Sequence, residues 1–179
     1  MTTTSPSTDT GPAAVPDGPL ARSPRTVLGP YFTLGMPLRD TVEVPDGRPA
    51  ITIRGQIQDA NGGGCPMTAV ETTQPEGWTR SYTQLDGTFE IRTVKPAATG
   101  GRAPHLGVLV LFPSQIRPGV TCLYFDDEPA ANEADELLVQ LTPEQRTTLL
   151  ARRVAEDVYE CVVKLAGEGE TTFLEWEGA

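Results

Sequence analysis

The chain has 179 residues, of which 24 are acidic and 14 basic, giving a formal net charge of −10 at pH 7. This length suits one domain with a sizeable core, and the negative charge argues against nucleic acid or an anionic membrane surface as a partner. Cys65, Cys122 and Cys161 are odd in number and lack CxxC spacing, so neither a disulfide framework nor a zinc knuckle is indicated.

The first residues show no basic start followed by an apolar stretch, and nowhere do the roughly 18 consecutive apolar residues of a membrane span occur. With the cysteine pattern, this predicts a soluble, unexported protein of the cytoplasm. Residues 1–24 are rich in Thr, Ser, Pro, Gly and Ala, and such a segment cannot repay its ordering entropy alone. We expect it to be an arm that is disordered or partner-bound, ahead of one β-sandwich domain over residues 25–179.

Strand patterns dominate the rest of the chain. Apolar and polar residues alternate at 51–57, 87–92 and 158–165, which predicts strands with one wet face. The segment 106–112 is apolar on both faces and predicts a central strand covered on both sides, with 120–125 as its neighbour.

One helix is predicted, over residues 142–153, with the sequence TPEQRTTLLARR. Thr142 suits the N-cap, Pro143 the first helical position, and Gln145 closes a capping box. Several short strands with Gly/Pro turns and a single late helix predict an all-β fold. We expect an antiparallel β-sandwich with one short helix in the C-terminal half and a long N-terminal arm.

The residues offer little catalytic chemistry by themselves. His105 is the only histidine, whereas a histidine-type metal site needs three or four donors. We therefore expect His105 to be satisfied by hydrogen bonds at a strand start. Cys122 and Cys161 lie in strand-like runs, where a free cysteine usually behaves as a small buried hydrophobe. The acidic segment 125–136 lacks the DxDxDG pattern of a calcium loop, which predicts a solvated turn.

Five segments carry a more specific signal, and they occur in this order: SPRTVLGPYFTLGMP at 23–37, TVKP at 93–96, APHL at 103–106, LYFDDEPAANEAD at 123–135 and GEGETTF at 167–173. Together they resemble the α subunits of the protocatechuate 3,4-dioxygenase family, whose members are intradiol ring-cleaving enzymes. The resemblance implies a β-sandwich core and a hetero-oligomer of α and β subunits. It also implies a non-haem Fe(III), bound in the β subunit by two tyrosines and two histidines, and no cofactor in this chain.

The same resemblance implies that this chain has lost its iron ligands. His105 matches the first position of the family's His-x-His pattern, and Gly107 stands where the second histidine would be. The segment after TVKP reads AATGG and has no tyrosine. His105 is therefore predicted to be a vestigial ligand position, with no metal site and no catalytic residue in this chain. We expect the chain to be inactive alone.

In the family, the α subunit's arm around Gly-Pro-Tyr borders the β subunit's active site. By residue matching, this role falls on Gly29, Pro30 and Tyr31. Glycine lets backbone approach a small ligand, proline fixes the bend, and tyrosine offers an apolar wall with a polar tip. The alternative for these three residues is an ordinary turn ahead of a strand.

The sequence departs from the family pattern at several positions. Val27 replaces a threonine before the arm, and Glu71 and Thr72 replace a Trp-Gln pair. Pro113 stands where the family has an arginine that faces the substrate pocket and could pair with a carboxylate. Arg117 is the candidate to replace that arginine in the pocket, the alternative being a solvated loop arginine.

These observations predict a non-catalytic α-type subunit that borders a small-catechol site in an iron-bearing β subunit. Two alternatives stay open. The first is a stand-alone binding or scaffold module that has kept the sandwich and lost the partner. The second is an enzyme with different chemistry in the old pocket, built around His105.

Overall fold

The computed structural model describes residues 26–42 and 47–175, so the predicted arm at 1–24 lies outside the described residues. The strands are β1 Ala50–Gln58, β2 Ala69–Gln74, β3 Gly77–Tyr82, β4 Thr88–Val94, β5 His105–Leu111, β6 Gly119–Phe125, β7 Leu150–Ala155 and β8 Val158–Lys164. Between β6 and β7 lie helix α1 (Pro129–Ala134), a 3-10 turn (Leu138–Gln140) and helix α2 (Pro143–Thr147). No helix in these two ranges is long and apolar enough to span a membrane.

The strands are hydrogen-bonded in the order β3-β2-β5-β6-β7-β8-β1-β4. We call β3, β2, β5 and β6 the first half-sheet and β7, β8, β1 and β4 the second half-sheet. In the strand order they join through the short pairing of β6 with β7, at Tyr124–Leu150 and Phe125–Ala151. The all-β prediction is confirmed, but a wholly antiparallel arrangement was only approximate, because β1–β8 and β6–β7 are parallel pairs.

The core lies between the inner faces of the two half-sheets. Strand β1 contributes the buried residues Ile51, Ile53 and Ile57, as its alternation predicted. The expectation that the segment 106–112 is covered on both faces is wrong for the outer face of β5. Its residues alternate between buried and half-buried, so only the inner face is fully covered. The outer face of β5, which begins with His105, borders the site described below.

Two strands that the sequence did not predict, β2 and β3, form a hairpin. Their inner positions are partly polar: Thr72 and Thr79 are buried, with hydroxyl oxygens 2.6 Å apart. Because the paired hydroxyls satisfy each other, they can be buried at low cost. The usual apolar alternation is therefore missing from this part of the sequence.

The predicted helix at 142–153 was right at its start and wrong at its end. Thr142 and Gln145 form the predicted capping box, but α2 ends at Thr147. Leu149 is fully buried, and the following residues pair with β6 and β8 as β7. Tertiary pairing thus overrides the local helical preference of this segment.

The segment 39–42 closes the two free edges of the sheet. Arg39 exchanges both backbone hydrogen bonds with Arg80 of β3, at 2.9 and 2.7 Å. On the other side, the amide of Val42 donates to the carbonyl of Arg92 in β4 (3.0 Å), and the Arg92 amide donates to the carbonyl of Asp40 (2.8 Å). This pairing covers edges that would otherwise offer unpaired backbone groups.

Candidate functional site

His105 begins β5 on the outer face of the first half-sheet. Its side chain is half-buried, and Nδ1 lies 2.8 Å from the carbonyl oxygen of Ala103. The imidazole packs against the ring of Tyr124 on β6, with 5.3 Å between ring centroids. The prediction of a histidine satisfied by hydrogen bonding at a strand start is therefore confirmed.

Gly107 lies on the same face as His105, two residues further along β5. A β-carbon added at this position would lie 2.6 Å from Oγ1 of Thr73 on the neighbouring strand β2. Any side chain at position 107 therefore requires Thr73 to move. Thr73 on the adjacent strand β2 thus occupies part of the space that a histidine at position 107 would need.

A group of three hydrogen-bonded side chains, one of them half-buried and two fully buried, lies beside these two positions. Nε of Arg102 donates to the carboxylate of Asp135 (3.1 Å to Oδ2), and Nη2 of Arg102 donates to Oη of Tyr124. The Tyr124 hydroxyl in turn donates to Oδ1 of Asp135 at 3.1 Å. We call Arg102, Tyr124 and Asp135 the Arg102 cluster. Both Tyr124 and Asp135 are fully buried.

Asp135 also anchors the backbone around it. Its carboxylate accepts hydrogen bonds from the amides of Ala103 (2.8 Å), Leu137 and Leu138 (both 2.9 Å). Burial by itself would raise the pKa of Asp135, but these amides and the Arg102 charge outweigh burial and lower it. The expectation of a solvated turn over 125–136 is wrong for this residue, because its charge is matched by buried donors.

Tyr124 is not a phenolate donor in this arrangement. Burial raises its pKa above the ordinary value, although the neighbouring Arg102 charge opposes the shift. The phenol is therefore protonated at neutral pH and donates a hydrogen bond to the carboxylate of Asp135.

A second ion-pair group ties two of the resemblance segments together. Nζ of Lys95, in TVKP, lies 2.7 Å from both Asp127 Oδ1 and Glu128 Oε1. The Tyr159 hydroxyl donates to the other oxygen of Asp127 at 2.9 Å. Lys95 also lies over the Phe125 ring, 5.0 Å from its centroid. These contacts of Asp127 and Glu128 hold the segment 126–128 against the sheet.

The arm residues and Pro113 meet at the end of β5. The amide of Gly29 donates to the carbonyl of Pro113 at 3.0 Å, and Gly29 has a φ of +80°, a conformation that favours glycine. Tyr31 projects into solvent with 76% of its surface exposed. Arg117 is exposed and has no side-chain hydrogen bond or ion pair within residues 26–42 and 47–175. The roles predicted for Gly29, Pro30, Tyr31 and Arg117 stay predictions.

Two of the other departures from the family pattern, Glu71 and Thr72, make side-chain contacts within the hairpin of β2 and β3. Glu71 forms an ion pair with Arg80 at 2.6 Å, and Thr72 bonds to Thr79 across the hairpin. Val27 is half exposed on the arm. All three cysteines are free and buried, as expected for Cys122 and Cys161.

A groove of about 660 Å³ runs along the outer face beside Gly107. Its apolar wall includes Leu109, Val120 and Leu174, and its charged lining groups are the carboxylates Glu71 and Glu175. Sequence reasoning missed this groove, because its floor depends on the strand register that places Gly107 opposite Cys122.

The residues around His105 do not fit a ferric ion held by tyrosines and histidines. Within residues 26–42 and 47–175, no group of three or more His, Cys, Asp or Glu side chains is placed to hold a metal ion. The nearest phenol, that of Tyr124, is protonated and already bonded to Arg102 and Asp135. Iron coordination of the family type needs more anionic and imidazole donors than this site presents.

Comparison with solved structures shows which fold this is. The dioxygenase domain of a dioxygenase and carbohydrate-binding protein fusion from Streptomyces sp. SirexAA-E matches with a TM-score of 0.56 and 25% identity, over 79% of this chain and 94% of that one. An intradiol ring-cleavage dioxygenase from Tetranychus urticae matches with a TM-score of 0.53 and 14% identity, over 82% of this chain and 94% of that one. The chain therefore has the intradiol dioxygenase fold.

Sequence comparison narrows the family. The protocatechuate 3,4-dioxygenase alpha chain of Burkholderia cepacia is 30% identical, over 87% of this chain and 98% of that protein. The corresponding alpha chain of Pseudomonas putida is also 30% identical, over 88% of this chain and 98% of that protein. No family model matches the chain. The chain belongs to the family of protocatechuate 3,4-dioxygenase alpha chains, which confirms the resemblance drawn from its sequence.

Proposed function

We propose that this chain is the non-catalytic alpha subunit of an intradiol ring-cleaving complex, in which an iron-bearing beta subunit cleaves a catechol of the protocatechuate type. The observation that carries the proposal is the state of positions 105 and 107, where the family's catalytic chains have histidines. In a chain of this family, His105 is bonded to its own backbone and Gly107 is crowded by Thr73. Such a site lacks the donors for iron, so the chain is inactive alone.

The exposed arm supports a role in assembly. Of the large apolar side chains on residues 26–38, Val27, Leu28, Tyr31, Leu34 and Leu38 are all exposed. Neighbouring apolar side chains exposed in this way are typical of a protein–protein contact. In the complex, Gly29, Pro30 and Tyr31 border the partner's catechol site, with Gly29 held at the end of β5 by Pro113.

The chemistry of the complex divides between the two subunits. When bound in the partner, Fe(III) activates a catecholate toward oxygen. This chain supplies shape and excludes water from the shared pocket. Position 113 carries no charge here, so Arg117 is the residue we assign to pair with a substrate carboxylate. We also propose a cytoplasmic location, which three free cysteines favour.

The proposal is tested by co-expressing the chain with a protocatechuate 3,4-dioxygenase beta chain from the same organism. The complex is isolated by size exclusion, and iron content and oxygen uptake are measured with protocatechuate and with catechol. We expect iron and uptake only where the beta chain is present, and a stable hetero-oligomer. A soluble, monomeric chain that forms no complex would contradict the proposal.

The two single chains are the matched controls. If this chain alone consumes oxygen with a catechol and loses that activity on His105→Ala, it is an enzyme with its own site, and the subunit role is wrong. If the complex forms but consumes oxygen with catechol and not with protocatechuate, the subunit role stands. The assignment of Arg117 to a substrate carboxylate then fails.

A further inference from the structure

The segment 171–175 lies beside the start of β6. The amide of Leu174 donates to the carbonyl of Val120 (2.8 Å), and the Thr121 hydroxyl donates to the carbonyl of Thr172 (2.7 Å). These hydrogen bonds satisfy polar groups at the edge of β6 and fix the segment there. Because Val120 and Thr121 also line the groove on the outer face, the segment is held at the side of that groove.

The side chains of this segment point to two different sides. Phe173 packs against the core between the half-sheets, whereas Leu174 and Glu175 line the groove. Glu175 is exposed and is the last residue that the structure describes at this end of the chain. The chain therefore leaves the described structure at the groove, and the next residue in the sequence is Trp176.

Covalent geometry places Trp176 within reach of the groove. Consecutive α-carbons are about 3.8 Å apart, so the α-carbon of Trp176 lies one such step from that of Glu175, which lines the groove. The groove volume of about 660 Å³ falls in the range of pockets that hold a drug-sized ligand. An indole ring is smaller than such a ligand and fits within this volume.

The lining of the groove matches the chemistry of an indole. Leu109, Val120 and Leu174 are half-buried and offer apolar contacts. Glu71 and Thr73 add side-chain oxygens. An indole is apolar apart from one N–H donor, and a buried tryptophan usually finds an acceptor for it. The charged lining groups are both carboxylates, which disfavour an anionic occupant such as a benzoate, whereas an uncharged ring meets no such repulsion.

We infer that the side chain of Trp176 occupies this groove, so that the chain itself covers the space beside Gly107. Burying the indole against Leu109, Val120 and Leu174 removes apolar surface of all four side chains from water, which favours the closed arrangement. A groove filled in this way is closed to a catechol, so in the proposed complex a catechol binds in the partner's site. The closure itself goes beyond the proposed subunit role and requires no partner.

Acrylamide quenching of tryptophan fluorescence in the full chain tests this inference. Trp78 and Trp176 are the two tryptophans, so Trp78→Phe leaves Trp176 as the single reporter. Phenylalanine keeps an aromatic ring against Arg39 and Arg80, which both lie over the Trp78 ring. We expect a quenching constant at least about threefold below that of a free peptide of residues 171–179, because the groove shields the indole. A constant equal to the peptide's, or shielding that is lost on dilution as a contact with a second copy would be, overturns the inference.

The location of the indole is tested by changing the groove wall in the Trp78→Phe chain. Leu109→Arg adds bulk and charge to the groove, and Leu109→Gln, which adds little bulk, guards against a variant that fails to fold. Val162→Arg is the matched control, because Val162 is 50% exposed on the outer face of the second half-sheet.

We expect the quenching constant of Trp176 to rise at least about twofold in Leu109→Arg, because the indole then loses its apolar wall to a charged group. The constant should rise by less in Leu109→Gln and stay unchanged in Val162→Arg. An unchanged constant in both Leu109 variants, or an equal rise in Val162→Arg, shows that the indole lies elsewhere and overturns the inference.

Discussion

Replacing Asp135 by alanine is expected to lower the free energy of unfolding by about 3–5 kcal/mol, because it removes a fully buried carboxylate that pairs with the half-buried Arg102 and accepts hydrogen bonds from three backbone amides. The substitution leaves Arg102 without its carboxylate, and it leaves the amides of Leu137 and Leu138 without an acceptor. Urea denaturation of the wild-type chain and the variant measures the difference.

Glu133→Ala is the matched control for this prediction. Glu133 belongs to α1 on the same segment, is exposed, and makes no side-chain hydrogen bond or ion pair within the described parts of the chain. Its substitution should change stability by no more than about 0.5 kcal/mol. A loss below about 1 kcal/mol for Asp135→Ala would mean that the Arg102 cluster contributes little to the fold.

The effect of Asp135 also has a defined pH dependence. Its pKa is lowered in the folded chain, so its stabilisation is present above the unfolded pKa of about 3.9 and is lost as pH falls through the folded pKa. The unfolding free energies of the wild type and Asp135→Ala should therefore differ fully at neutral pH and approach each other below about pH 4. A difference that stays constant down to about pH 2 would contradict this assignment.

Substituting the exposed arm is expected to have a large effect on assembly with the beta subunit. Tyr31 and Leu34 are each 76% exposed, and a buried tyrosine anchor typically contributes 2 kcal/mol or more to an interface, about a 30-fold change in Kd. The double variant Tyr31→Ala and Leu34→Ala should weaken association by at least about 30-fold. The stability of the isolated chain should change little, since both side chains are exposed.

The control for the arm is Leu85→Ala. Leu85 is 91% exposed on the turn between β3 and β4, so it is equally apolar and accessible but lies outside the arm. Titration of each variant against the beta chain by light scattering gives the Kd. An unchanged Kd for the arm variant, or an equal loss for Leu85→Ala, would show that the arm is not the contact.

Much of the fold could be predicted from the sequence, because several strands show the alternation of apolar and polar residues. The alternations at 51–57, 87–92 and 158–165 correspond to β1, β4 and β8, since their inner positions are apolar. The hairpin of β2 and β3 was hidden because paired threonine hydroxyls occupy inner positions. The end of α2 was set by the pairing of β7 with β6 and β8, which is not encoded near residue 147.

Only part of the candidate site could be predicted from the sequence. A lone histidine with glycine two residues later is visible in the sequence, and the resemblance gives that spacing its meaning. The Arg102 cluster was not visible, because its members are separated by tens of residues. In addition, an aspartate within an acidic stretch is normally a solvated one. The fold alone brings Asp135 to Arg102 and the amides of residues 103, 137 and 138.

The measurement that tests the central claim most directly is the iron content of the co-expressed complex carrying His105→Ala in this chain. His105→Gln, which keeps a hydrogen-bonding side chain, is the matched variant. The account predicts an unchanged ratio of iron to protein, and oxygen uptake within about twofold of the wild-type complex. Loss of iron or of ring-cleaving activity in both variants would contradict it, because this chain would then supply a metal ligand or a catalytic residue.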